Sequence, residues 1–390
     1  MLRAAAMFRR LFRLPAPDAP GLVFFGAEAD PADLGSQNAG LSVSGFAGSG
    51  LDPLRAFEAC VGEGIEYLSQ FAQPNDPLAA GTSAAYAGSL DPGAYRFVEA
   101  VLTACHIPAD RPVSWMPVNR IVDGAACWYP VDLCLRRAAA DFVPPLKLST
   151  GCAAGVTPEA AMLHGLLKLI ERDAAALWWR GGRRGRAINA NSAAGQAAAA
   201  LLAQLRRGRN HRRTVLLDIT SDLDVPVVAA FSTLHEGQGF ALGLGARPNL
   251  ADAACSAIFE MCQSELSLHV IAAKRRESGD QALNESDRRQ LARAATLDPH
   301  DCLLLQPDTA ANAHASLAGD PTTAIVRLLA AHGIIAYSLD LTRPRFGVPV
   351  IRVLAPGLQS DPGEIVGERL TRAIAETGGG GKHHGGIVLM

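Results

Sequence analysis

Apolar residues recur every three or four positions through the middle of the chain and predict one long helix there. Its start is well marked, because the Thr157 hydroxyl can cap the helix and Pro158 suits the first helical position. His164, Lys168 and Glu171 form a second stripe at i, i+4 and i+7. We therefore expect the apolar face of this helix to pack in the core and the polar stripe to carry chemistry.

Two further amphipathic helices carry acidic residues on their polar sides. The first begins at Asp52 and places Glu63 and Glu66 three residues apart on one side. The second begins at Asn249 and carries Glu260 in a polar stripe among apolar residues. Neighbouring carboxylates repel each other, and a divalent cation turns that repulsion into attraction. The alternatives are a solvated face for the first pair and a buried structural glutamate for the second.

Short apolar or alternating segments lie between the helices and predict strands. Predicted strands cover residues 22–26, 40–50, 115–121, 125–135, 214–220, 225–234, 240–246, 334–342 and 348–358. Further predicted helices cover residues 94–105, 193–206, 321–332 and 361–376. This mixture indicates the α/β class, with mixed and antiparallel sheets as in α+β proteins.

The ends of the chain differ in composition from its middle. Length alone allows two or three domains in 390 residues, but one large unit over residues 21–376 accommodates the elements above. Residues 1–20 are basic and amphipathic, too short and too charged to span a membrane, and we expect a loosely ordered extension. Residues 377–390 are rich in glycine, which predicts a flexible tail.

Composition excludes little but favours an ordinary globular protein. Hydrophobic residues make up 49%, charged residues 19%, and the formal net charge is −2, so nothing favours nucleic acid as a partner. The eight cysteines include no C-x-x-C pair and no spacing typical of zinc sites. We therefore expect reduced cysteines in a cytoplasmic protein, with Cys152 as the one candidate for a reactive thiol.

The segment around the central helix resembles the central motif of the YcaO family, S-x-G-x-A-x-G-N-T-x-x-E-A followed by E-x-x-E-R-D-A. The positions that align with this motif are Ser149, Gly151, Ala153, Gly155, Thr157, Ala160 (in place of the first glutamate), Ala161, Glu171, Arg172, Asp173 and Ala174. E-G-I-E-Y resembles the first acidic motif of the family, E-M-C-Q-S-E resembles the third, and G-V-P-V-I-R-V-L-A-P-G-L resembles its closing strands. The resemblance extends over about residues 40–358.

This resemblance implies a YcaO-type fold in which acidic helices converge on ATP and Mg2+. The ATP-binding residues that it implies are Ser149, Lys168, Glu171, Arg172, Glu260, Gln263 and Arg352. The metal ligands that it implies are Glu63, Glu66, Glu171 and Glu260. No protein nucleophile is implied, because the substrate supplies its own.

Four further positions depart from the family motifs. They are Tyr67 for arginine, Val156 for asparagine, Lys168 for the first glutamate of E-x-x-E-R, and Glu265 for arginine. Lys168 reverses the charge expected there. Either the site has lost an ion, or the lysine replaces that ion and touches phosphate directly.

The resemblance implies an enzyme that uses ATP to phosphorylate a backbone amide oxygen of a ribosomally made precursor peptide and forms azoline rings, as in thiazole and oxazole natural products. The alternatives are thioamide formation with a TfuA-like partner, and a degenerate scaffold or peptide-binding subunit without activity. The implied partners are the precursor peptide and a leader-binding E1-like or TfuA-like protein, with a flavin dehydrogenase as a further candidate. We expect a homo-oligomer or a subunit of a synthetase complex.

Overall fold

Three antiparallel sheets organise the chain, and each has an edge strand that leads directly into a long helix. The structure is a computed structural model, and it describes residues 1–35, 38, 41–308, 317 and 319–389. The strands are β1 (Arg10–Pro15), β2 (Val23–Ala29), β3 (Ser44–Gly50), β4 (Ala79–Gly81), β5 (Val113–Arg120), β6 (Ala126–Pro130), β7 (Cys152–Ala154), β8 (Arg186–Ala187), β9 (Arg212–Asp218), β10 (Val227–Leu234), β11 (Ala241–Ala246), β12 (Tyr337–Asp340) and β13 (Val350–Leu354). The helices are α1 (Leu2–Ala5), α2 (Pro53–Ser69), α3 (Ser83–Tyr86), α4 (Pro92–Ala104), α5 (Pro158–Trp179), α6 (Ala193–Arg206), α7 (Leu250–Ser278), α8 (Glu285–Thr296), α9 (Pro321–Ala331), α10 (Glu368–Thr377) and α11 (Gly381–His384). This mixture of helices and antiparallel sheets is the predicted fold class.

The three sheets have the strand orders β1-β2-β3, β4-β5-β12-β13-β7 with β6 beside β5, and β11-β10-β9-β8. Strands β3, β7 and β11 therefore lie at sheet edges, and they precede α2, α5 and α7 respectively. An edge strand has N–H and C=O groups that no neighbouring strand pairs with. In this fold the helices supply the missing partners, as described below.

Each of the three helices begins at a residue whose side chain accepts from the third backbone N–H of the helix. Asp52 accepts from Arg55 at the start of α2, and Asn249 accepts from Asp252 at the start of α7. Thr157 caps α5 as predicted. Such caps fix the helix starts, because they satisfy N–H groups that the first turn leaves without partners.

Two apolar cores lie on opposite faces of the six-stranded sheet. Alternate residues of β13 enter them, with Val350 in one core and Ile351 and Val353 in the other. Ile65 brings α2 to the first core, and Ile170 brings α5 to the second. A third core lies between α6, α7 and β10. The packing thus holds the three long helices against three different sheets.

Glycine allows two of these helices to lie unusually close to their strands. A Cβ atom on Gly48 of β3 would overlap the carbonyl of Ala56 in α2, and one on Gly245 of β11 would overlap that of Ala253 in α7. Both pairs are separated by the same number of residues. The two strand-helix units therefore have the same close-packed geometry.

Both chain ends differ from the sequence-based expectation. Residues 1–20, expected as an extension, contain α1 and β1, and β1 pairs with β2 from Arg10 opposite Glu28 to Pro15 opposite Val23. The glycine-rich segment 377–390, expected as a flexible tail, packs on the end of α5 over its described part. His384 stacks on Trp179 with ring centroids 4.5 Å apart.

Most predicted elements between these ends are confirmed within a few residues. The helix predicted over residues 361–376 is α10, which is shorter because it begins only at Glu368. The predicted strand 40–50 is β3, although residue 40 lies outside the described residues. Over the described residues, no helix has both the length and the apolar character needed to cross a membrane.

Candidate functional site

The first and third edge strands each donate a backbone N–H to a glutamate of the following helix. The Ala47 N–H of β3 donates to Glu63 Oε2 in α2 at 3.1 Å. The Leu244 N–H of β11 donates to Glu260 Oε2 in α7 at 3.3 Å. In both pairs the two residues are 16 positions apart. The two glutamates are therefore equivalent residues of two similar units.

The middle unit has the same geometry with the opposite charge. Lys168 of α5 donates to the carbonyl of Cys152 in β7 at 2.9 Å, again across 16 positions. A strand residue points its N–H and C=O to the same side, so the edge residue offers a donor or an acceptor at one place. Glutamate uses the donor and lysine uses the acceptor. Each of the three side chains stands eleven positions after its helix cap, at Asp52, Thr157 or Asn249.

The side chains fourteen positions after each cap reach from one unit to the next. Each contacts the residue three positions before the next cap, and the three contacts close a ring. Glu66 accepts from the Ala154 N–H, Glu171 accepts from the Ala246 N–H at 3.1 Å, and Gln263 donates to Ser49 Oγ at 2.7 Å. The centre of the site therefore lies on a pseudo-threefold axis among α2, α5 and α7.

This ring brings Glu171 and Glu260 together although they lie on different helices. Their N–H partners, Ala246 and Leu244, are two residues apart on the same edge of β11, which is roughly 7 Å along a strand. Arg172 lies beside them, with Nη2 at 3.8 Å from Glu171 Oε1. The predicted convergence of these residues is thus present in the structure.

The carboxylates carry raised pKa values for a shared physical reason. Burial raises the pKa of Glu63 to about 7, and the neighbouring charge of Glu66 adds to the shift. Burial likewise raises the pKa of Glu260 to about 7, with the charges of Glu171 and Glu63 adding to it. The Glu63 side chain is nevertheless exposed to solvent. Such carboxylates favour either a proton or a bound cation.

Lys168 forms an ion pair with Glu66. Its Nζ lies 2.6 Å from Glu66 Oε1, and the lysine side chain remains 40% exposed while that of the glutamate is 11% exposed. Burial alone would lower the pKa of Lys168, but the Glu66 carboxylate outweighs it and the pKa is raised. Glu66, predicted as a metal ligand, is therefore paired with an ammonium in this structure.

Two predicted ligand-binding residues do not reach the ring carboxylates. Ser149 lies half-buried in the turn before β7, where its carbonyl accepts from the Cys152 N–H at 3.1 Å. Arg352 is fully buried on β13 opposite Cys152, and its guanidinium donates to the Leu148 carbonyl. Within the described residues, no hydrogen bond or ion pair joins Arg352 to Glu63, Glu66, Glu171 or Glu260. The remaining predicted residues lie in or beside the ring, and they are Glu63, Glu66, Lys168, Glu171, Arg172, Glu260 and Gln263.

The structure shows the surroundings of Tyr67 and Val156, two of the residues that depart from the family motifs. The Tyr67 hydroxyl accepts from Ser44 Oγ at 2.6 Å, and the Arg136 guanidinium lies 5.3 Å from the Tyr67 ring centroid. Sequence reasoning missed Arg136, because it comes from a loop without a motif. Val156 is almost fully exposed in the turn before α5.

Glu265 of α7 lies away from the ring and belongs to a buried network of ion pairs. Both of its oxygens accept from Arg206 at 2.6 Å, and Arg212 Nε lies 3.2 Å from Oε1. It is therefore a structural residue. Cys152 is no nucleophile, because its thiol is fully buried and burial raises its pKa to about 12.

The ring fits Mg2+ that is shared with a phosphate ligand. In the described part of the chain, no three histidine, cysteine, aspartate or glutamate side chains are close enough to hold a metal ion by themselves. Mg2+ commonly takes one or two carboxylates together with substrate phosphates and water. Oxygen donors with raised pKa values, beside Lys168 and Arg172, match that requirement.

Comparison with known proteins agrees with this chemistry. The profile of one family, described as YcaO cyclodehydratase, ATP- and Mg2+-binding, matches residues 47–359. An uncharacterised protein in the tfuA 3′ region of Rhizobium leguminosarum bv. trifolii is 27% identical over 262 residues, which are 64% of this chain and 62% of that protein. The chain spans 60–62% of the length of the curated relatives that it matches.

Solved structures share the fold at low sequence identity. A heterocyclase in complex with substrate and cofactor superposes with a TM-score of 0.74 at 22% identity, over 95% of this chain and 53% of that chain. YcaO from Methanopyrus kandleri, bound with AMPPCP and Mg2+, superposes with a TM-score of 0.63 at 18% identity, over 92% of this chain and 88% of that chain. These similarities show a shared fold.

Proposed function

This chain belongs to the YcaO family, whose members bind ATP and Mg2+, and we propose that it uses ATP to activate a backbone amide of a ribosomally made peptide for azoline formation. The observation that carries the proposal is the ring. Three helices bring Glu63, Glu171 and Glu260 to one place, next to the cations Lys168 and Arg172. A structural role alone gives no reason to concentrate these carboxylates, of which Glu63 and Glu260 have raised pKa values, at a pseudo-symmetry axis.

In this proposal the ring residues position the nucleotide and balance its charge. Glu63, Glu171 and Glu260 would hold Mg2+, and the neighbouring cations Arg172 and Lys168 would approach phosphate oxygens. When bound, the metal ion neutralises charge on the transferring phosphoryl group. Gln263 keeps α7 in register with β3 through Ser49. Catalysis would then rest on positioning and electrostatics rather than on a protein nucleophile.

The proposed reaction begins when a cysteine, serine or threonine side chain of the substrate attacks the neighbouring amide carbonyl carbon. The carbonyl oxygen takes the γ-phosphoryl group of ATP, which gives ADP. Departure of that oxygen as phosphate, with loss of the amide N–H proton to solvent, leaves the C=N bond of an azoline. Cys152 is excluded as a participant because its thiol is buried.

Thioamide formation is a second candidate. It is favoured by the relative in a tfuA 3′ region, since a TfuA-like protein would be the partner of such an enzyme. There an external sulfur donor replaces the side-chain nucleophile, and the same phosphorylation makes the oxygen a leaving group. The ring would do the same work in both reactions.

The experiment is to combine the purified protein with a candidate precursor peptide and a partner protein encoded beside its gene, and to follow phosphate release and peptide mass. We expect phosphate release that depends on the peptide. Loss of about 18 Da per ring would indicate azoline formation, and gain of about 16 Da would indicate a thioamide. Peptide modification that proceeds equally well without nucleotide would contradict the proposal.

A further inference from the structure

Lys168 occupies a position that holds a carboxylate in the two equivalent units. Glu63 and Glu260 stand eleven positions after the caps of α2 and α7, and Lys168 stands eleven after that of α5. We infer that the Lys168 ammonium takes the place of one divalent cation, so that the nucleotide site of this chain binds one cation fewer than it would with glutamate at 168. This inference rests on the proposed nucleotide-binding function and specifies its metal content.

The ligands around the ammonium are those of a cation site. Nζ lies 2.6 Å from Glu66 Oε1 and 2.9 Å from the Cys152 carbonyl oxygen. Carboxylate and carbonyl oxygens are also the donors that hard divalent cations prefer. In the equivalent units, the edge strand turns an N–H toward the side chain instead. The middle unit is therefore arranged around positive charge, while the other two are arranged around negative charge.

One of the three N–H donors of the Lys168 ammonium has no partner among the described residues. The ammonium has three N–H donors, and within the described chain Glu66 and Cys152 use two of them. The lysine side chain is 40% exposed, so the third donor is accessible to a phosphate oxygen. A metal ion at this place would likewise be coordinated by oxygens of both the protein and a phosphate.

The charge balance supports the same conclusion. When ionised, the four glutamates at positions 63, 66, 171 and 260 carry four negative charges, and Lys168 and Arg172 carry two positive ones. These protein groups sum to a formal charge of −2, and glutamate at position 168 would make the sum −4. The nucleotide adds the same negative charge in both cases, so the difference of two charges corresponds to one divalent cation.

The test counts bound Mn2+, used in place of Mg2+, by electron paramagnetic resonance with saturating AMPPCP. It compares the wild type with Lys168→Glu. The matched control is Lys274→Glu, because Lys274 also forms a lysine–carboxylate pair, at 2.5 Å from Asp287, and its side chain is 39% exposed. We expect Lys168→Glu to bind one more Mn2+ per chain than the wild type, and Lys274→Glu to bind the same number as the wild type. Equal counts in all three proteins would overturn the inference.

Lys168→Met provides a second readout that does not depend on how well Lys168→Glu folds. Losing one charge-assisted contact should weaken AMPPCP binding about tenfold or more at low Mn2+, and raising Mn2+ should partly restore it. Unchanged affinity at every Mn2+ concentration would overturn the inference.

Calorimetry on the same samples separates a failure of this inference from a failure of the proposed function. If AMPPCP binds while the counts stay equal, this inference alone fails; if AMPPCP binds to none of the proteins, the proposed function fails as well.

Discussion

Glu63 links the charge of the candidate site to the stability of the fold. Its pKa of about 7, against an ordinary value of 4.5, means that the folded protein holds a proton that the unfolded chain releases between these pH values. Without a cation, the fold therefore loses stability through this group as pH rises from about 4.5 to about 7. Above that range the penalty is complete.

Glu63→Gln should remove this pH-dependent penalty. In EDTA, the variant should match the wild type at pH 5 and melt at a higher temperature than the wild type at pH 8, because only the wild type then carries the charge. Glu58→Gln is the control, since Glu58 lies in the same helix and pairs with Arg55 at 3.7 Å on its outer side. A stabilisation that is equal at both pH values would contradict a titrating Glu63.

The sequence is enough to propose most residues of the candidate site, but not the contacts between them. The motif resemblance identified Glu63, Glu171, Glu260 and Gln263, because each lies in a helix with a recognisable start. The pairing of Lys168 with Glu66 joins two helices far apart in sequence, and no local pattern encodes such a contact. The equal spacing of the three caps and their polar side chains is readable in the sequence, and it was the signal that sequence reasoning overlooked.

At the scale of elements, the site depends on how closely α2 and α7 approach their strands. A carboxylate on a helix can reach the strand N–H only because Gly48 and Gly245 leave no side chain between the two backbones. Gly48 lies within β3 itself, where the close approach of α2 requires the missing Cβ.

Gly48→Ala should therefore destabilise the fold, by about 1–3 kcal/mol as for other overpacked cores, because α2 must move away from β3. Gly62→Ala is the matched control in α2, where a Cβ atom would meet nothing within 4 Å. It should stabilise the protein by roughly 0.5–1 kcal/mol, since alanine favours the helix. Urea unfolding measures both effects. A loss of stability in both variants, or in neither, would contradict the close approach at Gly48.

At the scale of the whole molecule, the two chain ends were the least predictable parts. Exposed basic residues in β1 resembled an unfolded extension, yet the strand is held by pairing with β2, a long-range contact. The terminal glycines resembled a flexible tail, yet Gly378 and Gly379 adopt positive φ angles that turn the chain back onto Trp179. Composition alone could not distinguish a flexible glycine segment from one that is packed in turns.

The ring also joins the three sheets of the molecule. Each sheet contributes one edge strand, and each strand-helix unit contacts the next, so a ligand bound at the centre would contact all three units. Nucleotide binding should consequently stabilise the fold as a unit. The central claim is that this ring binds ATP through Mg2+.

Calorimetric titration with AMPPCP, with and without Mg2+, tests that claim most directly. We compare the wild type with Glu171→Gln, which keeps the side-chain volume and removes a charge that the Ala246 N–H positions. The expected result is Mg2+-dependent binding to the wild type, binding to the variant weakened at least about tenfold, and melting temperatures within a few degrees of each other without ligand. Absence of binding to the wild type, or equal binding to both proteins, would contradict the assignment of the ring as the nucleotide site.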